Sequence, residues 1–222
     1  MSILSPANKR LLWVTVFGVA FGFLESSVVV YLRALYYPEG FSFPLKLMSA
    51  HHLSVELARE GSTLVMLVAV GALAGTKVWE RFAYFLVAFG VWDIFYYVWL
   101  KAASGWPSTP YDWDILFLIP LPWIAPVIAP VAISLLMIVC GVIIVFRLER
   151  NRTFDPHRLS WPLASVGTAA LLYSFMRDTQ ATLHGQLPEA YSYGFLFGSL
   201  ILYISSFILA CRPSFRQPTT HE

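Results

Sequence analysis

Charge is scarce in this sequence. Only 13% of its 222 residues are Asp, Glu, Lys or Arg, where an ordinary soluble domain carries about 25%. With 58% hydrophobic residues, such a chain cannot cover a water-facing surface with polar groups, so the solvent for most of it is a bilayer. Cysteine is nearly absent. Cys140 and Cys211 are the two thiols; they lie in apolar runs, and no C-x-x-C, haem-attachment or zinc-ribbon spacing occurs. Histidine is too sparse for a membrane di-iron desaturase or hydroxylase: of five, His157 and His221 fall in polar, cytoplasmic-side segments. None lies near the centre of an apolar run, where a haem held by two histidines within a bundle needs them. Walker, Rossmann and nucleophile-elbow patterns are missing. The net charge of +2 comes from residues flanking apolar runs rather than from a basic stripe, which speaks against nucleic acid as a partner.

What is present is apolar length. Six stretches, about 10–32, 54–76, 81–101, 122–146, 161–183 and 193–211, approach the ~20 residues that a ~30 Å hydrocarbon core requires. Aromatic residues make up 16% of the chain, including eight Trp, and many sit near the ends of these stretches, as in an interfacial belt. Lys9 and Arg10 before the first run resemble the start of an uncleaved signal anchor. No repeat stands out and the connections are short, so residues 1–222 read as a single membrane domain.

Basic residues orient it. Lys9, Arg10, Lys77, Arg81, Arg147, Arg150, Arg152, Arg158, Arg212 and Arg216 fall on the side of the N-terminus. Arg33, Lys46, Arg59, Lys101 and Arg177 fall on the other, ten against five of the fifteen. By the positive-inside rule both termini are cytoplasmic, in an inner (cell) membrane. The predicted fold is therefore an all-α, six-transmembrane-helix bundle, N-in and C-in. Acidic residues run the other way: only Glu80, Glu149, Asp155 and Glu222 fall on the cytoplasmic side.

Ionisable groups inside a membrane face the protein interior or a water-filled cavity. Glu25 lies seven residues after Gly18 and three after Gly22, so all three share one helical face that packs closely. Ser26 and Ser27 beside it are expected to bond the preceding turn rather than act as nucleophiles. On the second helix His52, Glu56, Glu60 and Thr63 recur at i, i+4, i+8 and i+11, with Arg59 in i+3 reach of Glu56. The third helix carries Asp93, which Tyr96 and Tyr97 one turn on are placed to hydrogen-bond. The fifth carries Arg177 and Asp178. At ~1.5 Å per residue, Glu25 rises about 22 Å above Arg10, Asp93 about 18 Å above Arg81, Glu60 about 25 Å above Lys77 and Arg177 about 24 Å above Trp161. Four helices thus converge charge on the outer half of the bilayer.

The loop 102–121 lies over this layer. Its Trp-rich, apolar second half predicts a short interfacial helix begun by Asp112 or Asp114, acting as a lid. Pro122, Pro126 and Pro130, at four-residue spacing, predict an irregular fourth helix.

These residues suit a small membrane enzyme with an amphiphilic or lipid-like substrate. Glu25, Glu60 and Asp93 are the candidate catalytic acids and bases. Arg59, Arg177, Tyr96, Tyr97 and Asp114 are the candidate substrate contacts, the arginines for an anionic group. His52, Glu56 and Glu60 have the ligand types for a divalent metal, zinc, iron or manganese. The same carboxylates also suit a proton- or ion-coupled transporter, and the chain's compactness suits a non-catalytic subunit of a larger electron-transfer complex or a homo-oligomer. The cytoplasmic helix halves, nearly free of polar residues, disfavour a transport path, and no inverted repeat is visible.

Overall fold

The computed structural model describes residues 5–41, 46, 48–119, 121–184, 186 and 188–212. Arg216, His221 and Glu222, assigned above to the cytoplasmic side, lie outside the described residues, as does Pro120. The elements are α1 (Pro6–Tyr36), α2 (Ala50–Ala74), α3 (Val78–Ser104), β1 (Trp113–Phe117), β2 (Trp123–Pro126), α4 (Ile128–Glu149), α5 (Ser160–Met176), α6 (Thr179–Leu183) and α7 (Tyr193–Ala210). Five of them, α1, α2, α3, α4 and α7, are long and apolar enough to cross a membrane.

Local signals set the helix ends. Ser5 caps α1 by accepting from the Asn8 amide at 3.2 Å, with Pro6 at the first helical position. Ser49 caps α2 through the His52 amide at 3.2 Å. At the far end of α3, Gly105 takes φ +76°, the left-handed conformation that glycine adopts without strain, and Lys101 bridges the Gly105 and Pro107 carbonyls at 2.8 and 2.6 Å.

α3 is the hub, with α1, α2 and α4 packed around it. Small residues permit the close approach. A Cβ added at Gly22 of α1 would lie 2.9 Å from the Trp92 carbonyl oxygen and the Tyr96 nitrogen of α3, and one at Gly141 of α4 would lie 2.6 Å from the Ala83 carbonyl oxygen. Between these four helices sits an apolar core that includes Val14, Phe21, Leu67, Val87, Ala88 and Ile144. α5 and α7 form a second pair, tied by the Ser206 hydroxyl donating to the Ser160 carbonyl at 2.8 Å and by a 2.9 Å Thr168–Tyr203 hydroxyl contact.

Two sequence expectations change. The second half of loop 102–121 is a strand rather than an interfacial helix. β1 and β2 form an antiparallel hairpin pairing Trp113 with Pro126, Asp114 with Ala125 and Ile115 with Ile124. The fourth helix consequently starts at Ile128, later than the predicted 122. Pro126 ends a strand and Pro130 occupies the first turn of α4, where no intrahelical donor is missed. The predicted stretch 161–183 is also two helices. α5 has 17 residues and ends at Met176; the chain turns at Arg177–Asp178 before α6. The break lets the buried Thr179 hydroxyl donate to the Pro122 carbonyl at 2.5 Å, anchoring α6 to the hairpin.

Candidate functional site

A cavity of about 660 Å³ opens between α1, α2, α3 and the hairpin, within the ~300–1,000 Å³ typical of small-molecule sites. Most of its wall is apolar, including Val29, Leu32, Leu57, Ile115, Leu116 and Leu121. Charged side chains interrupt it in three groups, and Lys46 also borders it, with its Nζ 5.3 Å from the Tyr37 ring centroid.

The first is centred on Arg59. Its guanidinium grips Glu56, one turn back on α2, through both ends, Nε donating to Oε2 at 2.9 Å and Nη2 to Oε1. Its Nη1 donates to Glu25 of α1. Thr63 adds a 3.3 Å hydroxyl donation to Glu25. This is a partly buried ion triad joining two helices that otherwise touch little.

The second joins α1 to the hairpin. Arg33 Nη2 donates to Asp114 Oδ1 at 2.9 Å. The guanidinium carbon lies 4.2 Å from the Phe41 ring centroid and 3.8 Å from that of Trp106, a cation–π arrangement. Asp114, 2% exposed, also accepts from the Tyr96 hydroxyl at 3.3 Å. Asp112 next to it serves the loop, accepting from the Ser108 amide at 2.7 Å and the Thr109 hydroxyl at 2.7 Å.

The third group lacks arginine. Both Glu60 oxygens accept from the Leu118 amide, at 3.2 and 2.9 Å, just beyond the end of β1. Asp93 accepts from the Ser134 hydroxyl of α4 at 2.8 Å. Both carboxylates are buried and line the cavity. The Leu118 contact also answers how a hairpin fits among membrane-length helices. Non-helical backbone at such a depth is stable only where protein groups or a cavity satisfy it, and Glu60 supplies that acceptor.

Of the residues singled out from sequence, Glu25, Glu56, Arg59, Glu60, Asp93, Tyr96, Tyr97 and Asp114 all line this cavity. Arg177 does not. It pairs with Asp178 at 3.4 Å, Glu189 at 3.0 Å and the Ser192 hydroxyl, near the start of α7. His52 stays outside as well, exposed and in a 2.5 Å contact between Nδ1 and the Tyr36 hydroxyl. Among the described residues no three His, Cys, Asp or Glu side chains come together to hold a metal ion, so His52, Glu56 and Glu60 are not gathered as ligands. Tyr96 turns to Asp114, and the hydrogen bond to Asp93 comes from Ser134 instead. Ser26 and Ser27 bond the Phe23 carbonyl at 2.9 and 2.8 Å, as expected.

Arg33 escaped the sequence reading, where it counted only toward orientation. It lies eight residues beyond Glu25, about 80° around the helix, at ~100° per residue. A long side chain covers that offset, and this was the available signal. Ser134 and the Leu118 amide carried no signal of their own.

No protein-family model matches this chain, and neither the curated proteins nor the solved structures give a match.

Proposed function

We propose that the protein is a small membrane-embedded enzyme whose cavity takes an amphiphilic or lipid-like substrate. The observation that carries this is the cavity itself: an apolar space of about 660 Å³ walled by membrane-length helices, with buried carboxylates at Glu60 and Asp93 that form no ion pair among the described residues. Apolar wall suits an acyl or isoprenoid tail, and the carboxylates meet its polar end. Glu60, held by the Leu118 backbone N–H, is the general base; Asp93, oriented by Ser134, is the second acid. Glu25 and Glu56 hold Arg59 and shape the wall. The apolar core toward the other end of α1–α4, with Val14, Leu67, Ala83 and Ile144, favours a closed site over a transport path.

In this reading the chain crosses an inner membrane six times, α5 with α6 supplying the fifth crossing. Both termini are cytoplasmic, and the cavity opens in the extracytoplasmic half. Glu60→Gln and Asp93→Asn each abolish consumption of the amphiphile that co-purifies with the detergent-solubilised protein, followed by mass spectrometry of lipid extracts. Gel-filtration profile and helical circular dichroism stay at wild-type values. Arg177→Ala, at a residue that does not line the cavity, retains activity. Loss of folding in both carboxylate variants would instead make these groups structural.

A further inference from the structure

We propose that the occupant of this cavity carries a positively charged head group, so that the substrate class is an amine-bearing amphiphile; this rests on the amphiphile reading above. The argument is one of charge matching. Glu25 and Glu56 share one guanidinium, Arg59, which balances only one of their two charges, and Asp114 pairs with another, Arg33. Both arginines are ion-paired within the protein, although the buried Arg33 Nη1 has no hydrogen-bond partner among the described residues and Lys46 also borders the cavity. Across the lining, the five acids Glu25, Glu56, Glu60, Asp93 and Asp114 still outnumber these three cations. Glu60 and Asp93 remain. Their hydrogen-bond donors are a backbone amide and a serine hydroxyl, neither of which carries charge.

An ionised carboxylate buried in an apolar wall without an ion pair is costly; it is relieved either by taking up a proton or by a counter-charge that arrives with the ligand. An ammonium group supplies it, with up to three N–H donors for the two acids. The aromatic lining fits the same ligand, since Tyr96, Tyr97 and Trp92 all border the cavity and can offer ring faces to a cation. The wall is also unsatisfied in a second respect. The buried Trp92 indole N–H has no acceptor among the described residues, so an oxygen near the amine finds a donor waiting.

The expectation reverses the one drawn from sequence, in which Arg59 and Arg177 held an anion. Arg59 is tied between two glutamates and Arg177 lies elsewhere.

The test compares three probes of one chain length, hexadecylamine, hexadecanol and hexadecanoate, by native mass spectrometry and thermal shift on the full chain in neutral detergent. Hexadecylamine is expected to bind at least about tenfold more tightly than either other probe. Glu60→Gln is expected to remove most of that preference, and Asp93→Asn to weaken it independently. Leu57→Trp, which enlarges a side chain on the cavity wall, should block binding of all three. Hexadecanoate binding as tightly as the amine, or equal binding of all three, overturns the head-group inference. The amphiphile reading then stands if Leu57→Trp still blocks binding. If no probe binds, or Leu57→Trp changes nothing, the amphiphile reading falls and takes this inference with it. The comparison among probes on the unmodified protein stays decisive even if a carboxylate variant fails to fold.

Discussion

Arg59 illustrates how a single side chain is made tolerable at membrane depth. Its guanidinium has five donors in a fixed fork, and three of its nitrogens reach the carboxylates of Glu56 and Glu25. Removing it leaves two acids facing each other with little water to compensate. We expect Arg59→Met to destabilise the protein by about 3–5 kcal/mol, the usual cost of orphaning one side of a buried ion pair. Adding Glu25→Gln and Glu56→Gln to Arg59→Met should recover part of that loss, because the repelling charges go too. Chemical unfolding in mixed detergent micelles measures both; equal stability of Arg59→Met and the wild type would sink the account. Helical spacing revealed most of this cluster in the sequence, since Glu56, Arg59, Glu60 and Thr63 fall along one side of α2. What spacing cannot give is the partner. Arg33 and Asp114 are 81 residues apart, and nothing local in either segment names the other.

At the scale of elements, the close approach of α1 to α3 depends on residues without side chains. The same substitution therefore has opposite effects at two glycines. In Gly22→Ala the new methyl meets α3 backbone at 2.9 Å, which rigid helices relieve only by moving apart; we expect a loss of about 1–3 kcal/mol. Gly61 of α2 has nothing within 4 Å of its would-be Cβ, so Gly61→Ala should be neutral or gain up to about 1 kcal/mol from helix propensity. Matching unfolding curves for the two variants would refute the packing argument. Gly18 and Gly22 were legible because they sit at i and i+4 on one face. The hairpin was not. An apolar run such as Ile115–Ile119, rich in residues that suit either state, reads alike as a short helix or a strand. The choice falls to tertiary partners, chiefly Glu60 for the Leu118 amide and Thr179 for the Pro122 carbonyl. The turn at Arg177–Asp178 was hidden for the same reason, as its charges find Glu189 and Ser192 only once α7 is in place.

For the whole molecule, the two ends of the bundle differ in kind. Basic residues Arg147, Arg150, Arg152 and Arg158 gather where α4 gives way to α5. The cavity and its acids lie at the other end, beside the loop that holds Tyr111 and Asp112. Positively charged connections stay on the cytoplasmic side, and on that rule the orientation proposed above puts the cavity end outward. Tyr111 is 64% exposed and Arg150 is exposed as well, which makes both suitable reporters of sidedness. In a background with Cys140 and Cys211 changed to Ser, Tyr111→Cys should react with a membrane-impermeant maleimide on intact cells. Arg150→Cys should react only after the membrane is permeabilised. The reverse pattern would invert the molecule and present its carboxylates to the cytoplasmic leaflet. Labelling of both sites in intact cells would mean that α4, the one membrane-length helix between them, does not span. A third reporter beyond α6, Ala190→Cys at an exposed position, decides whether the 17-residue α5, about 25 Å long, crosses with the aid of α6. It should react on intact cells, and reaction only after permeabilisation would mean that α5 with α6 does not span.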